Sequence, residues 1–276
     1  MLSILGTELY VEDSGESDLP VVVCLHSLFL DARMFDGFAT AAAGKFRVVR
    51  PDFRGQGRSA RATEHVIDMD TCARDIEAVF EVLELGPSHL LVQSMGGDVG
   101  FRFAALRPDL VRSMVVAGTS ARAEPKDQLE EFRRWVNDVG EQGFTGPVLE
   151  TTMAIMFGET TRNDPAQAEM LELWRGRIAA VPPTLTPAMS GVIERSSVVD
   201  LLPEIRVPVL VVSGLEDLPR PPEWAEEVAN SLPNAELWQL PKVGHSPTLE
   251  APEIMLPRIL KFLEDVTREQ TEASAP

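Results

Sequence analysis

Apolar residues in the first 120 positions come in short unbroken runs, separated by stretches where they recur every three or four residues. Val21–His26 and Phe46–Pro51 are such runs, rich in valine, and His89–Gln93 and Met114–Ala117 repeat the pattern. Runs of this length predict strands buried on both faces. Between them, residues 32–43 place Met34, Phe35, Phe38 and Ala42 at helical spacing. Asp68–Leu85 puts Ile76, Val79, Phe80 and Leu83 on one stripe, and Gly86-Pro87 stops it. Gly96–Leu106 reads as a further helix ended by Pro108. Ahead of the first run, Leu2–Leu5 and Leu9–Glu12 read as a short hairpin around Gly6-Thr7. Strand and helix in alternation predict a parallel sheet with right-handed crossovers.

From about Ala121 to Val199 the alternation stops. No buried strand is readable there, and helical patterns lie near 126–140, 147–157, 165–180 and 187–199. Alternation resumes with Val207–Ser213 as strand, Pro222–Ser231 as helix, Ala235–Leu240 as strand and Pro252–Val266 as helix. The expected class is therefore α/β: a mostly parallel, twisted sheet with helices on both faces and an inserted helical cap. Residues 1–120 and 201–266 form the core, 121–200 the cap, and 267–276 a polar tail expected to be disordered.

Composition narrows the function classes. The chain has 276 residues, 44% of them hydrophobic, and a net charge of −18. It has no basic footprint for nucleic acid, and an anionic membrane would repel it. No signal peptide or membrane-spanning stretch is readable. Cys24 and Cys72 sit in apolar patterns and read as small buried hydrophobes without a disulfide, so a cytoplasmic protein is expected. Four scattered histidines without His-x-His or Cys-x-x-Cys spacing argue against a metal, and no phosphate-binding glycine loop is present. No cofactor is expected.

The chemistry concentrates at strand carboxyl ends, the edge where open α/β sheets build their sites. The third buried strand runs into Gln93-Ser94-Met95-Gly96-Gly97 and then directly into a helix, the setting of a nucleophile elbow. Gly96 and Gly97 relieve crowding after the serine, while Val92 stands where a glycine is usual. Asp217 follows the strand Val207–Ser213, and His245 follows Ala235–Leu240, so serine, acid and histidine occur in the order this scaffold uses. The first buried strand ends at the same edge in His26-Ser27-Leu28. The backbone N–H groups of Leu28 and Met95 are candidate oxyanion donors. His26 reads as a loop tie or pocket residue, Asp52 and Arg54 as ion-pair partners, and Asp98 as a helix-dipole partner.

With His26-Ser27, Asp52-Phe53-Arg54-Gly55-Gln56-Gly57-Arg58-Ser59, the elbow at Ser94, Gly214-x-x-Asp217 and Gly244-His245-Ser246-Pro247 together, the chain resembles the α/β-hydrolase superfamily over essentially its whole length. Leu25–Leu28 with Asp31-x-x-Met34-Phe35, Ser94–Gly97 and Val116–Arg122 resemble its 3-oxoadipate enol-lactonase-like, carboxylesterase branch. The resemblance implies a serine hydrolase of esters or lactones working through an acyl-enzyme, with Ser94, Asp217 and His245 as the triad. Serine at the elbow argues against dehalogenases and epoxide hydrolases. Enol-lactonase proper, perhydrolase, carbon–carbon bond hydrolase and a slow-turnover receptor are the alternatives. Trp135, Met153, Met156, Phe157, Trp174 and Met189 of the cap are candidate pocket residues, which implies a small apolar substrate. Arg122, Arg133, Arg134, Arg175 and Arg177 read as a solvated cap surface. The oligomeric state, monomer or homo-oligomer, is left open.

Overall fold

In the computed structural model, which describes residues 1–273, the apolar runs become the strands of one large sheet. Leu2–Ile4 (β1) and Thr7–Leu9 (β2) stand apart as a two-stranded hairpin with Ile4 opposite Thr7. Its turn residues Leu5 and Gly6 have φ of 37° and 78°, the positive values a tight hairpin needs. The expected second arm is divided: Leu9 closes β2, and Val11–Asp13 (β3) joins the main sheet. That sheet continues with Val21–Leu25 (β4), Arg47–Pro51 (β5), Ser88–Gln93 (β6), Val111–Ala117 (β7), Val209–Gly214 (β8) and Ala235–Leu240 (β9). Their order is β3-β5-β4-β6-β7-β8-β9, and only the β3–β5 pair is antiparallel. Every residue of β6 and β8 is buried, which is why the apolar runs Leu90–Val92 and Val209–Val212 stand at their centres.

Helices flank this sheet: Asp36–Ala42 (α1), Met69–Val82 (α2) and Met95–Leu106 (α3) in the first half. The segment 32–43 is not one helix. Asp31 caps a 3₁₀ turn over Ala32–Phe35 by accepting from Arg33 N, and α1 starts only after it. Asp68 caps α2 by accepting from Thr71 N at 2.6 Å, and Ile76, Val79 and Phe80 are buried as their spacing predicts. Between β7 and β8 lie Leu129–Gln142 (α4), Gly146–Met156 (α5), Glu159–Asn163 (α6), Ala168–Ala179 (α7) and Thr186–Ile193 (α8). The short α6 has no counterpart in the sequence reading. The α8 helix abuts the loop before α2 so closely that a Cβ at Gly191 would lie 1.7 Å from the Ile67 carbonyl oxygen. Pro222–Ser231 (α9), Pro247–Glu250 (α10) and Pro252–Ala273 (α11) complete the chain.

The sheet order sets the site. Leaving β4, the chain builds β5 on one side of it and then returns to build β6 on the other. The loops after β4 and β6 therefore diverge, leaving a crevice at their carboxyl ends.

The tail expectation is corrected over residues 267–273. They extend α11 rather than fray, because their polar side chains find polar partners on the sheet. Thr267 Oγ1 lies 3.0 Å from His89 Nε2, and Gln270 Nε2 donates to the Arg112 carbonyl at 3.1 Å. Residues 274–276 of that expected tail lie outside the described residues.

Burial lowers the His89 pKa to about 4, with Arg112 adding to the effect, so the ring is neutral in the fold. The unfolded chain takes up a proton near the ordinary value of about 6.5, whereas the folded chain does so only near 4. Stability from this group is thus complete above pH 6.5 and lost as pH falls from 6.5 towards 4, by about 3 kcal/mol. Urea melts at pH 7 and pH 5 are expected to show the decline. His89→Gln, which does not titrate, should flatten it; an unchanged slope would remove His89 as its source.

Candidate active site

Ser94 sits at the junction of β6 and α3 with φ 53° and ψ −117°, a left-handed conformation that costs a non-glycine residue about 1–3 kcal/mol. The surroundings enforce it. Ser94 N donates to the Ala117 carbonyl at 3.0 Å, and the Ser94 carbonyl accepts from Gly97 N at 2.8 Å and Asp98 N at 3.2 Å. A Cβ at Gly96 would lie 2.1 Å from the Leu25 carbonyl oxygen, and one at Gly97 2.2 Å from Thr119 Oγ1. Both glycines are needed for α3 to start this close to the sheet. Val92 is accommodated from the helix side: its side chain packs over Gly100, where an added Cβ would meet Val92 Cγ1 at 3.2 Å. The small residue stands on α3 instead of β6.

The loops after β8 and β9 are zipped together, with Leu215 N donating to Leu240 O at 2.9 Å and Glu216 N to Val243 O at 2.8 Å. This brings Asp217 and His245 to Ser94. His245 Nε2 lies 2.8 Å from Ser94 Oγ, and His245 Nδ1 lies 2.9 and 3.0 Å from the two Asp217 carboxylate oxygens. A carboxylate can only accept, so the ring proton belongs on Nδ1, and Nε2 is left to accept from the serine hydroxyl. Asp217 Oδ1 also accepts from Arg220 N at 2.9 Å, and the His245 carbonyl accepts from Gln93 Nε2 at 3.0 Å. Glu216 turns the other way: its carboxylate accepts from Thr160 N at 2.7 Å and Thr160 Oγ1 at 2.5 Å.

Leu28 and Ser94 line one cavity, and Met95 opens α3 beside them. Among the described residues neither the Leu28 nor the Met95 backbone N–H has an internal acceptor, so both are free to donate to a bound oxygen. His26 does not reach the cavity. Its Nδ1 lies 2.8 Å from the Ser27 carbonyl oxygen and its Nε2 accepts from Phe53 N at 2.9 Å, so it ties the loops after β4 and β5 together.

The cavity over Ser94 and His245 measures about 340 Å³. Trp135 and Met156 line it as expected, but Met153, Phe157, Trp174 and Met189 do not. Met153, Phe157 and Met189 are buried in the hydrophobic core, and Trp174 faces a separate cleft beneath Arg177. Lining residues missed in the sequence include Phe29, Phe132, Ile155, Val192, Ile193 and Trp224. Phe29 meets Trp135 edge-on at 5.3 Å. None of Arg122, Arg133, Arg134, Arg175 and Arg177 lines the cavity. Arg122, Arg133 and Arg175 are occupied by Glu227, Glu194 and Glu150.

One buried charge network borders it. Asp98 lies in the first turn of α3 and has a further partner: Arg195 Nε lies 3.2 Å from its Oδ1, and both side chains are fully buried. Arg195 and Arg220 share Glu124 Oε1 at 2.5 and 2.9 Å. Burial pushes the Asp98 carboxyl above its ordinary pKa despite the guanidinium groups nearby. Burial would do the same to Glu124, but Arg220 and Arg195 outweigh it and hold that carboxyl below its usual range. Asp52 and Arg54 are ion-pair partners, though not of each other: Asp52 holds Arg58 at 2.9 Å, and Arg54 is held by Asp75 and Glu64. Among the described residues no cluster of three or more His, Cys, Asp or Glu side chains could hold a metal ion, and no helix is long and apolar enough to cross a membrane.

The alpha/beta hydrolase fold family matches residues 20–252. A thermophilic esterase from Thermogutta terrifontis superimposes with a TM-score of 0.85 at 33% identity, covering 94% of each chain. The enol-lactonase from Burkholderia xenovorans LB400 shares the fold, with a TM-score of 0.86 at 23% identity over 94% of this chain and 97% of that one. A pimeloyl-[acyl-carrier protein] methyl ester esterase from Chromobacterium violaceum is 28% identical over 267 residues, 93% of this chain and 98% of its own.

Proposed function

We propose that this chain, which belongs to the alpha/beta hydrolase fold family, hydrolyses neutral carboxylic esters or lactones through a covalent acyl-enzyme on Ser94. The observation that carries the reading is the line of Ser94 Oγ, the His245 ring and Asp217, joined at 2.8 and 2.9 Å at the floor of an apolar cavity. His245 Nε2 takes the serine proton as Oγ attacks the carbonyl carbon. The developing oxyanion is held by the Leu28 and Met95 N–H groups. As the intermediate collapses, His245 returns the proton to the leaving alkoxide, or to the ring-opened hydroxyl of a lactone. Water then repeats the sequence on the acyl-enzyme, with Asp217 stabilising the imidazolium in both halves.

The helical insertion serves as the cap. Phe132 and Trp135 of α4, Ile155 and Met156 of α5, and Val192 and Ile193 of α8 line the cavity with the core residues. Its volume fits a small to medium apolar substrate. A cytoplasmic location agrees with two free, buried cysteines. A screen of short aryl esters and lactones with the purified protein tests the reading, alongside mass analysis after phosphonate treatment. Turnover with a single adduct at Ser94 supports it; a burst that stalls after one acylation would favour a receptor-like protein instead.

The charged residues lining the cavity, Glu124 and Arg220, are paired with each other at 2.9 Å, so a substrate carboxylate meets no free cation there. A neutral lactone is expected to exceed its carboxylated analogue in kcat/KM by about tenfold, roughly 1.4 kcal/mol of transition-state binding. The reverse order, eroded by salt, would show that an arginine binds the substrate and would favour an enol-lactonase.

A further inference from the structure

We propose that Glu250 and Glu216 are positioning residues that bolt the Gly158–Thr161 turn to the two loops carrying His245 and Asp217. Seating of the helical insertion and alignment of the Ser94–His245–Asp217 set are then one event. The inference rests on the hydrolase reading for its meaning, but not for all of its tests.

Glu250, at the end of α10, is 4% exposed and has no cation beside it among the described residues. Its charge is instead met by four hydrogen bonds. Oε1 accepts from Ser246 N at 2.8 Å, while Oε2 accepts from Gly244 N at 3.0 Å, Gly158 N at 2.9 Å and Thr161 Oγ1 at 2.6 Å. Two donors flank His245 in the chain, one on each side. The other two belong to the insertion, on the turn from α5 into α6. One carboxylate therefore holds the base loop and the insertion at the same point. Hydrogen bonds to a charged acceptor are about twice as strong as neutral ones, and burial strengthens them further.

Glu216 makes the matching contact from the acid side. It directly precedes Asp217, and its carboxylate takes both Thr160 N and Thr160 Oγ1. Successive residues of one turn are thus held by the acid loop and the base loop. Between the two carboxylates the backbones touch. A Cβ at Gly158 would lie 2.8 Å from Gly244 N, and one at Gly244 would lie 2.1 Å from Gly158 N. Only glycine on both sides lets the turn seat this deeply. The turn also begins two residues after Met156, which lines the cavity over Ser94. A substrate pressing on Met156 acts on a segment whose Gly158 N–H donates to the same Glu250 carboxylate that takes the N–H groups on either side of His245.

The decisive variants lie on the insertion, remote from the reacting atoms. Thr161→Val keeps the shape and deletes one donor. Gly158→Ala pushes the turn off Gly244. Glu250→Gln replaces one acceptor oxygen with an N–H₂ facing other N–H groups, and is expected to be the most severe. With rates normalised to the folded fraction, Thr161→Val should lower kcat on a small aryl ester about fivefold and Gly158→Ala about tenfold. KM should stay within twofold, and phosphonate labelling of Ser94 should slow in parallel. The downfield proton resonance of His245 Nδ1–H, assigned by its loss in Asp217→Asn, should shift or broaden in the same two variants. That signal reports on alignment whether or not an ester is cleaved. Lower melting temperatures with unchanged kcat and an unchanged Nδ1–H signal would overturn the proposal and leave these carboxylates a purely structural role. A Ser94→Ala variant as active as the parent protein would instead defeat the hydrolase reading, while the Nδ1–H signal would still decide the clamp.

Discussion

Ser94→Ala is expected to lower kcat on a short aryl ester by at least ~10³-fold, with KM nearly unchanged and the fold intact. Both residues carry a Cβ, so the positive φ of 53° at this position is no harder for alanine than for serine. The hydroxyl makes one short contact, 2.8 Å to His245 Nε2, and its removal leaves a neutral ring nitrogen without a partner rather than a buried charge. What remains is the pair of backbone donors from Leu28 and Met95 together with substrate binding, and these hold the carbonyl but cannot attack it. Steady-state rates and intact-protein mass after phosphonate treatment check the result. A variant with parental activity, or a parent protein that takes no adduct at position 94, would end the serine-hydrolase reading.

Asp217→Asn is expected to cost ~10³–10⁴-fold in kcat, whereas Glu216→Gln costs only a fewfold. In the parent, the Asp217 oxygens serve His245 Nδ1–H and Arg220 N together. Asparagine has one acceptor oxygen for these two donors. If the oxygen stays on Arg220 N, the amide N–H₂ faces His245 Nδ1, the ring proton moves to Nε2, and the base points the wrong tautomer at Ser94. Glu216→Gln keeps one oxygen for Thr160 and leaves the Asp217–His245 contact in place. Comparison of kcat/KM for the two variants on one ester is sufficient. Equal losses would mean that the acid has been assigned to the wrong residue of the turn.

The strands were legible because parallel strands covered on both faces must be apolar throughout, and β4, β6, β7 and β8 are buried over almost their whole length. The candidate triad was legible because strand ends, tight turns and their glycines are local features. Gly96 and Gly97 next to Ser94, Gly214 before Asp217 and Gly244 before His245 mark places where backbones nearly touch. Val92 looked like a departure because its compensation, Gly100, lies on the next helix two turns away, and it takes the packing of α3 on β6 to connect them.

Cavity lining was much less legible. Met153 and Met156 differ by one helical turn step on α5, and both are apolar and buried, yet only Met156 reaches the space over Ser94. Periodicity identifies the buried stripe of a helix without saying which part of it meets a neighbour and which part meets a void. Arg220 and Glu124 had no sequence signal, since charged residues in loops are ordinarily solvated. Their burial comes from a network that also draws in Asp98 and Arg195 from distant segments. The tail was misread for a related reason: Thr267 and Gln270 are polar in composition, and only the placement of His89 and the Arg112 carbonyl makes them docking groups.

By itself, then, the sequence determined the strand–helix alternation, the order of serine, acid and histidine, and the edge of the sheet on which all three emerge. Each depends on hydrophobic period or on backbone freedom over a few neighbouring residues. Tertiary structure alone decided that the Glu216 carboxylate turns to Thr160, which apolar side chains of the insertion border the cavity, and that Glu250 gathers donors from both sides of His245 and from the turn at Gly158. Those outcomes depend on distances between segments far apart in the chain. A hydrogen bond or a void there is set by how the insertion seats on the sheet, which no local pattern encodes.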